Sequence, residues 1–221
     1  MKVEPGRVLI TRSPHRRVGY VNCGWFQRDS IQYESLLERS FIEIALLCPT
    51  VRAIQFQPFT IRAPELRKYT PDFLLRCDHG ITLVVEVKPL ALLPKHCEKL
   101  RTAKKLIESL GHKFIVCTDE SIHGGGRSAR ASKILRYAIA HEDLAIVRES
   151  IEKLQRTLPA SLDKIAQDCN VEPHLILCLI ARRELMLQPD LTLEMVFTPA
   201  TYREAQDEHV STVSWLGHQT L

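Results

Sequence analysis

Three charged residues stand at the ends of two apolar runs in "YTPDFLLRCDHGITLVVEVKP", residues 69–89: Asp72, Glu86 and Lys88. Side chains alternate faces along a strand, so Glu86 and Lys88 point to one side and Val87 to the other. A hairpin of the two runs brings Asp72 near Glu86, with the lysine beside them. Carboxylates this close repel, which raises a pKa unless a cation lies between them. Hard oxygen donors of this kind suit Mg²⁺ or Mn²⁺, which bind carboxylate, water and phosphate oxygens together. Such an ion lowers the pKa of a bound water and stabilises charge growing on phosphorus, and Lys88 would steady that charge. Pro71 restricts the backbone just before Asp72. "PD" or "ExK" alone is commonplace, and an edge hairpin with an exposed Glu–Lys pair is the plain alternative. PD at a strand start, thirteen residues, then ExK closing an apolar strand points instead to metal-dependent phosphodiester hydrolysis.

Such a site wants a further acid. "YESLLERSF" offers Glu34 and Glu38, four apart and so on one helix face, where they could equally be a solvated salt-bridge surface. The spacing alone leaves both open.

The elements that must carry these residues follow from periodicity. Leu36, Leu37, Phe41, Ile44, Ala45 and Leu47 recur at helical steps from Gln32 onward, and Pro49 closes the helix. "VRAIQFQPFTIRA" alternates as a strand interrupted near Pro58. Strands at Phe73–Cys77 and Ile81–Val87 flank the turn "DHG". A basic amphipathic helix over 95–110 ends at Gly111, and "HKFIVCT" returns as a strand. This order gives an α/β fold with a mixed sheet flanked by helices. "HGGGRSAR" reads as a flexible loop, and residues 134–154 as helix. Its HGGG resembles a lipase oxyanion loop, but "GRSAR" lacks the last glycine of a nucleophile elbow. Lys95, Lys99, Lys104 and Lys105 form a candidate phosphate-contacting face, joined by Arg127 and Arg130 of the loop.

Four regions are expected: a basic arm at 1–30 with short strands around Val18–Val21, a catalytic domain at 31–155, a winged-helix-like domain at 156–202 and a tail at 203–221. The third rests on helix, turn, helix and a closing strand in "TLEMVFTP". Its second helix is apolar almost all round, which suits packing or protein docking better than base readout. The net charge of +4 is uneven: six Lys/Arg against two acids in residues 1–30, ten against four in 95–136. Basic surfaces of this size suit a polyanion. Seven cysteines without a CxxC pair read as reduced core thiols rather than a zinc site. No stretch approaches 18 uninterrupted apolar residues, and no signal pattern opens the chain, so no membrane association and a cytoplasmic location are expected. No GxxxxGK[ST] occurs, which assigns any ATPase activity to another chain.

"YESLLERSFIEIALLCPTVRAIQFQPFTI", "YTPDFLL" and "LVVEVKP", in that order, resemble the TnsA-type endonuclease subunit of heteromeric transposases, of the PD-(D/E)xK restriction-endonuclease fold. The resemblance covers residues 16 to about 120 and is weaker over 155–200. It implies Glu38, Asp72, Glu86 and Lys88 as catalytic residues, with Asp72, Glu86, Glu38 and the Val87 backbone carbonyl holding one or two Mg²⁺ ions, replaceable by Mn²⁺. Some members carry Gln where this chain has Glu86. Gln57 follows the family's QP pattern, as a site neighbour or a buried structural glutamine. The implied task is cutting the 5′, non-transferred strands at transposon ends in a bacterial cytoplasm. The implied partners are DNA, a TnsB-type transposase and a TnsC-type ATPase. The rivals are a stand-alone repair or restriction nuclease of the same fold and a non-catalytic DNA-binding assembly subunit.

Overall fold

The computed structural model of the chain describes residues 1–5, 18–138, 144–153, 158–205 and 212–217. In chain order the elements are β1 (Lys2–Pro5), β2 (Gly19–Val21), β3 (Ile31–Tyr33), α1 (Leu36–Leu47), β4 (Val51–Phe56), β5 (Phe59–Arg62), β6 (Phe73–Cys77) and β7 (Thr82–Val87). There follow α2 (Leu93–Ser109), β8 (Lys113–Cys117), α3 (Asp119–His123), α4 (Arg127–Leu135), α5 (Ala145–Lys153), α6 (Leu162–Cys169) and α7 (Pro173–Ala181). The last are β9 (Met186–Leu187), β10 (Val196–Phe197), α8 (Pro199–Ala205) and α9 (Thr212–Leu216).

A four-stranded mixed sheet in the order β4-β6-β7-β8 carries the site. β4 and β6 pair antiparallel, as do β6 and β7, whereas β7 and β8 run parallel. A parallel pair needs a long crossover, and α2 supplies it. The β6–β7 hairpin closes through Asp78–Gly80, where His79 and Gly80 take positive φ (57° and 72°) as a tight hairpin turn requires. Alternation divides the strand side chains between two cores. Phe73, Leu75, Val85 and Ile115 face a large buried cluster with α1 and α4, while Val84, Phe114 and Val116 face α2 through Leu100, Ala103 and Ile107. Because both faces are covered, the central strands are apolar almost without break.

The mixed sheet flanked by helices agrees with the expected fold class and is compatible with a restriction-endonuclease-like core. Local departures have physical reasons. α1 starts at Leu36 rather than near Gln32, because residues 31–33 pair with Gly19–Val21 and Ser35 caps the helix. The strand break near Pro58 is real and centres on Gln57, at φ 39°. "HGGGRSAR" is no flexible loop: Gly124–Gly126 form a 3₁₀ turn, with positive φ at Gly125 and Gly126, and α4 begins at Arg127. The helix expected at 134–154 is instead the end of α4 and all of α5, with 139–143 and 154–157 outside the described residues. Of the basic arm, residues 6–17 likewise lie outside them. β1 pairs antiparallel with β5, which the sequence pattern did not announce.

Toward the C-terminus α6 and α7 are followed by the antiparallel β9–β10 pair. The apolar α7 is packed, with Ile176–Ala181 buried as expected. These side chains belong to the same buried cluster as α1 and the β6–β7 hairpin. The segment expected as a tail also returns to this core through Trp215 and Leu216, 2% and 1% exposed, while residues 206–211 and 218–221 lie outside the described part. Five of the seven cysteines are buried. Among the described residues, no helix is long and apolar enough to cross a membrane.

Arg183 fastens the C-terminal helices to the sheet. It lies just past α7 with its guanidinium 4.7 Å over the Phe26 ring, and one of its terminal nitrogens donates to the carbonyls of Cys48 (3.0 Å) and Val51 (2.5 Å). Removing a buried donor leaves acceptors unpaired at about 2 kcal/mol. Arg183→Met is therefore expected to lower the thermal midpoint by about 5 °C, measured by circular dichroism; an unchanged midpoint would deny this clamp its role.

Candidate active site

Asp72 lies one residue before β6, opposite Glu86 in the continued register Phe73↔Val85, Leu74↔Val84. Both acids and Lys88 thus project on the α2 side of the sheet, at one end of the hairpin. Backbone bonds fix this end. The Asp72 carbonyl accepts from the Gln57 amide at 2.8 Å, and the Lys88 amide donates to Cys117 at 3.0 Å. Gln57 therefore serves the site through its backbone.

Each carboxylate has specific partners. Asp72 Oδ2 accepts from the Val87 amide at 2.7 Å. Glu86, only 6% exposed, accepts from the Tyr69 hydroxyl on Oε2 at 2.6 Å and pairs with Lys88 Nζ through Oε1 at 2.9 Å. Glu38 is held by its own helix start: Oε2 accepts from the Glu34 amide at 2.7 Å and Oε1 from the Ser35 hydroxyl at 2.9 Å. The Ser35 hydroxyl accepts in return from the Glu38 amide at 3.1 Å. Ser35 thus caps the helix, while the Glu38 carboxylate takes the amide of the residue before the cap.

The distance between α1 and the hairpin is set by packing. Phe41, one turn after Glu38, stacks on Phe73, the residue after Asp72, with centroids 5.3 Å apart. Such a ring pair contributes about 1 kcal/mol beyond its buried area.

The acids sense one another. Burial, then the charges of Glu86 and Glu38, hold Asp72 well above the usual carboxylate range, against the Val87 amide and Lys88. Burial first, with repulsion from Glu34 and Glu86, also raises Glu38. Burial alone would lower Lys88, but attraction and hydrogen bonding to Glu86, joined by Asp72 and Glu38, outweigh it and leave its pKa raised. Lys88 is thus a firmly protonated cation. Of the two acids left open by spacing, Glu38 is the one whose charge reaches Asp72; Glu34 contributes its amide.

The donor set suits a hard divalent cation: desolvated carboxylates that raise one another's proton affinity are those a cation would relieve. The arrangement itself is not closed around one. Among the described residues, no three His, Cys, Asp or Glu side chains are gathered closely enough to hold a metal. Glu38 is engaged in its cap, and both Glu86 oxygens have partners. Recruiting Glu38 means exchanging its cap bonds.

The basic residues named from sequence fare unevenly. Lys95, Lys99 and Lys105 are exposed on α2 and Lys104 is half-buried. Lys99 Nζ lies 5.7 Å over the Tyr69 ring, which ties it to the site. Arg127 and Arg130 have acceptors within the chain. Arg127 donates to the carbonyls of Pro189, Ser121 and Trp215, and Arg130 twice to that of Asp190. Both hold the chain together where phosphate contact was expected. Sequence reasoning gave Tyr69 no role, although it opens "YTPDF"; its only signal was an aromatic hydroxyl at the head of the acidic strand.

The family model described as "TnsA-like endonuclease N terminal" matches residues 48–119, about a third of the chain. That segment is similar to the N-terminal domain of TnsA-like endonucleases. The matched segment runs from the end of α1 to the first residue of α3 and contains Tyr69, Asp72, Glu86 and Lys88, whereas Glu38 lies before it. Comparison with curated proteins gives no match.

A carboxyl that holds its proton more tightly folded than unfolded costs stability as pH rises past its unfolded pKa, and that cost is absent below it. Asp72→Asn keeps an acceptor for the Val87 amide and removes the charge. At pH 8 with a chelator it is expected to raise the thermal midpoint by about 3 °C, with the gain vanishing toward pH 4. Equal midpoints for variant and wild type at pH 8 would show that Asp72 is not burdened by its neighbours.

Proposed function

We propose that the protein is a divalent-metal-dependent DNA endonuclease that cuts the 5′, non-transferred strands at transposon ends as one subunit of a heteromeric transposase. The observation that carries the nuclease reading is the meeting of Asp72, Glu86 and Lys88 on one sheet face inside the TnsA-like segment. The transposition setting is supported by the family match and by the sequence resemblance.

Asp72 and Glu86 would hold Mg²⁺, with Glu38 and the Val87 carbonyl as further donors; Mn²⁺ has the same preference for such oxygens. When bound, the ion supplies a water of lowered pKa and stabilises charge on the phosphate. The chain's own residues supply the rest. Lys88, kept protonated by Glu86, donates to the phosphate oxygens as a water oxygen bonds to phosphorus and a bridging P–O bond breaks. A protonated lysine stabilises this charge and does not act as the base. Exposed Lys95, Lys99 and Lys105 on α2, with half-buried Lys104, would contact the DNA backbone close by. A TnsB-type transposase and a TnsC-type ATPase would be its partners, docking elsewhere than on the apolar side chains of α7, which are buried in the chain's own core.

The test is a reconstituted reaction with transposon-end DNA, Mg²⁺ and the partner transposase, read by strand-specific cleavage on denaturing gels. Asp72→Ala and Lys88→Ala are each expected to lower 5′-strand cleavage by at least about 100-fold, and a chelator to abolish it. Wild-type cutting by Asp72→Ala would refute the site. Cutting by the chain without the transposase would favour a stand-alone nuclease.

A further inference from the structure

We propose that Tyr69 is a positioning residue of this nuclease site, fixing the carboxylate of Glu86 through its hydroxyl and fastening that carboxylate to helix α2 through its ring. The consequence for metal binding rests on the nuclease reading; the positioning itself rests on geometry alone.

Glu86 is almost wholly buried, and a carboxylate taken out of water must be paired. Lys88 meets Oε1 and Tyr69 meets Oε2, one partner for each oxygen. The Tyr69 hydroxyl donates to Oε2 at 2.6 Å, a short contact. A partner on each oxygen restricts rotation of the carboxylate, whereas the Lys88 contact alone would leave it freer to turn.

Tyr69 is itself tightly held. It is 4% exposed, in the same buried cluster as Ile61, Val84, Leu100 and Val116. Its backbone exchanges two hydrogen bonds with Ile61, at 2.8 and 2.9 Å, and the next residue, Thr70, bonds side chain to side chain with Thr60 at 2.7 Å. The hydroxyl therefore sits on a backbone pinned to β5, three residues before Asp72. One short segment thus aims both acids: Asp72 directly, and Glu86 through the phenol. Over the ring stands Lys99 of α2, at 5.7 Å, a cation–π contact between the basic helix face and the phenol that bonds the acid. Hydrogen-bond partners behind a ligand commonly change metal affinity 10- to 100-fold when removed.

The experiment compares wild type with Tyr69→Phe, which keeps the ring and the Lys99 contact and deletes only the hydroxyl. Crystal structures of both in chelator are expected to show the Glu86 carboxylate turned in the variant, with its 2.9 Å contact to Lys88 lost or lengthened. An unmoved carboxylate would overturn the proposal whether or not the protein binds metal. Calorimetric titration with Mn²⁺ is expected to give an affinity about 10-fold weaker for Tyr69→Phe. Unchanged affinity with a lowered chelator midpoint would make the hydroxyl merely structural and overturn the proposal. Wild type that takes up no Mn²⁺ would count against the metal-dependent nuclease reading, and the two crystal structures would still decide the positioning. Should the variant fail to crystallise, ¹⁵Nζ spectra of Lys88 in both proteins report the same contact, with an unchanged resonance overturning the proposal.

Discussion

Burial of the Glu86 carboxylate at the end of an otherwise apolar strand is the constraint on which the site depends. Such a group is tolerated only if its oxygens are paired, and its partners, Tyr69 and Lys88, arrive from segments locked by sheet hydrogen bonds. The pairing of β6 with β7 fixes on which face this happens. A slip of one residue would turn Glu86 into the core shared with α1 and Val85 into the site. Apolar residues that contribute nothing to chemistry, Val84 and Val116 against α2 and Val85 and Ile115 against α1, thereby hold the acid in place.

The same burial creates an electrostatic imbalance. Lys88 faces Asp72, Glu86 and Glu38 together, and its pKa rises while those of Asp72 and Glu38 are pushed up. A phosphate approaching such a cluster adds negative charge to it, so the arrangement favours DNA only once further positive charge joins it. Under the proposed function a divalent cation would meet that requirement. The cap bonds of Glu38 fit the same logic. They give a desolvated carboxylate two donors in the meantime, which keeps the third acid near the other two without forcing it on them.

Much of this was legible in the sequence. The alternation of the two runs, the "DHG" turn and the placement of Asp72, Glu86 and Lys88 follow from period-two geometry, which is local and strict. Glu38 was reachable as one of two acids expected on one helix face; α1 begins only at Leu36, which leaves Glu34 before the cap, and packing through Phe41 and Phe73 brings the helix that bears Glu38 to the hairpin. What escaped depends on contacts distant in sequence. Tyr69 carries no periodic signal because its role comes from a partner seventeen residues on. Arg127 and Arg130 looked like free cations beside glycines; their acceptors lie about sixty residues or more downstream, save for Ser121. The glycines themselves suggested mobility, whereas their positive φ values serve a tight turn into α4.

The C-terminal helices bear on the site through packing, with none of their described residues in it. α4 packs on both α1 and α7, and all three lie in one buried cluster. Arg183 reaches from the end of α7 to the carbonyls at the end of α1 and the start of β4, while Arg127 ties the start of α4 to Ser121, Pro189 and Trp215. α1 is thus wedged between the hairpin that carries Asp72 and Glu86 and the helices that follow the family-matched segment. Since interiors are close-packed and yield little to pressure, a shift of α7 must be taken up by α4 and α1 or by the clamps that join them. The helix bearing Glu38 therefore joins the acids to the packed C-terminal helices.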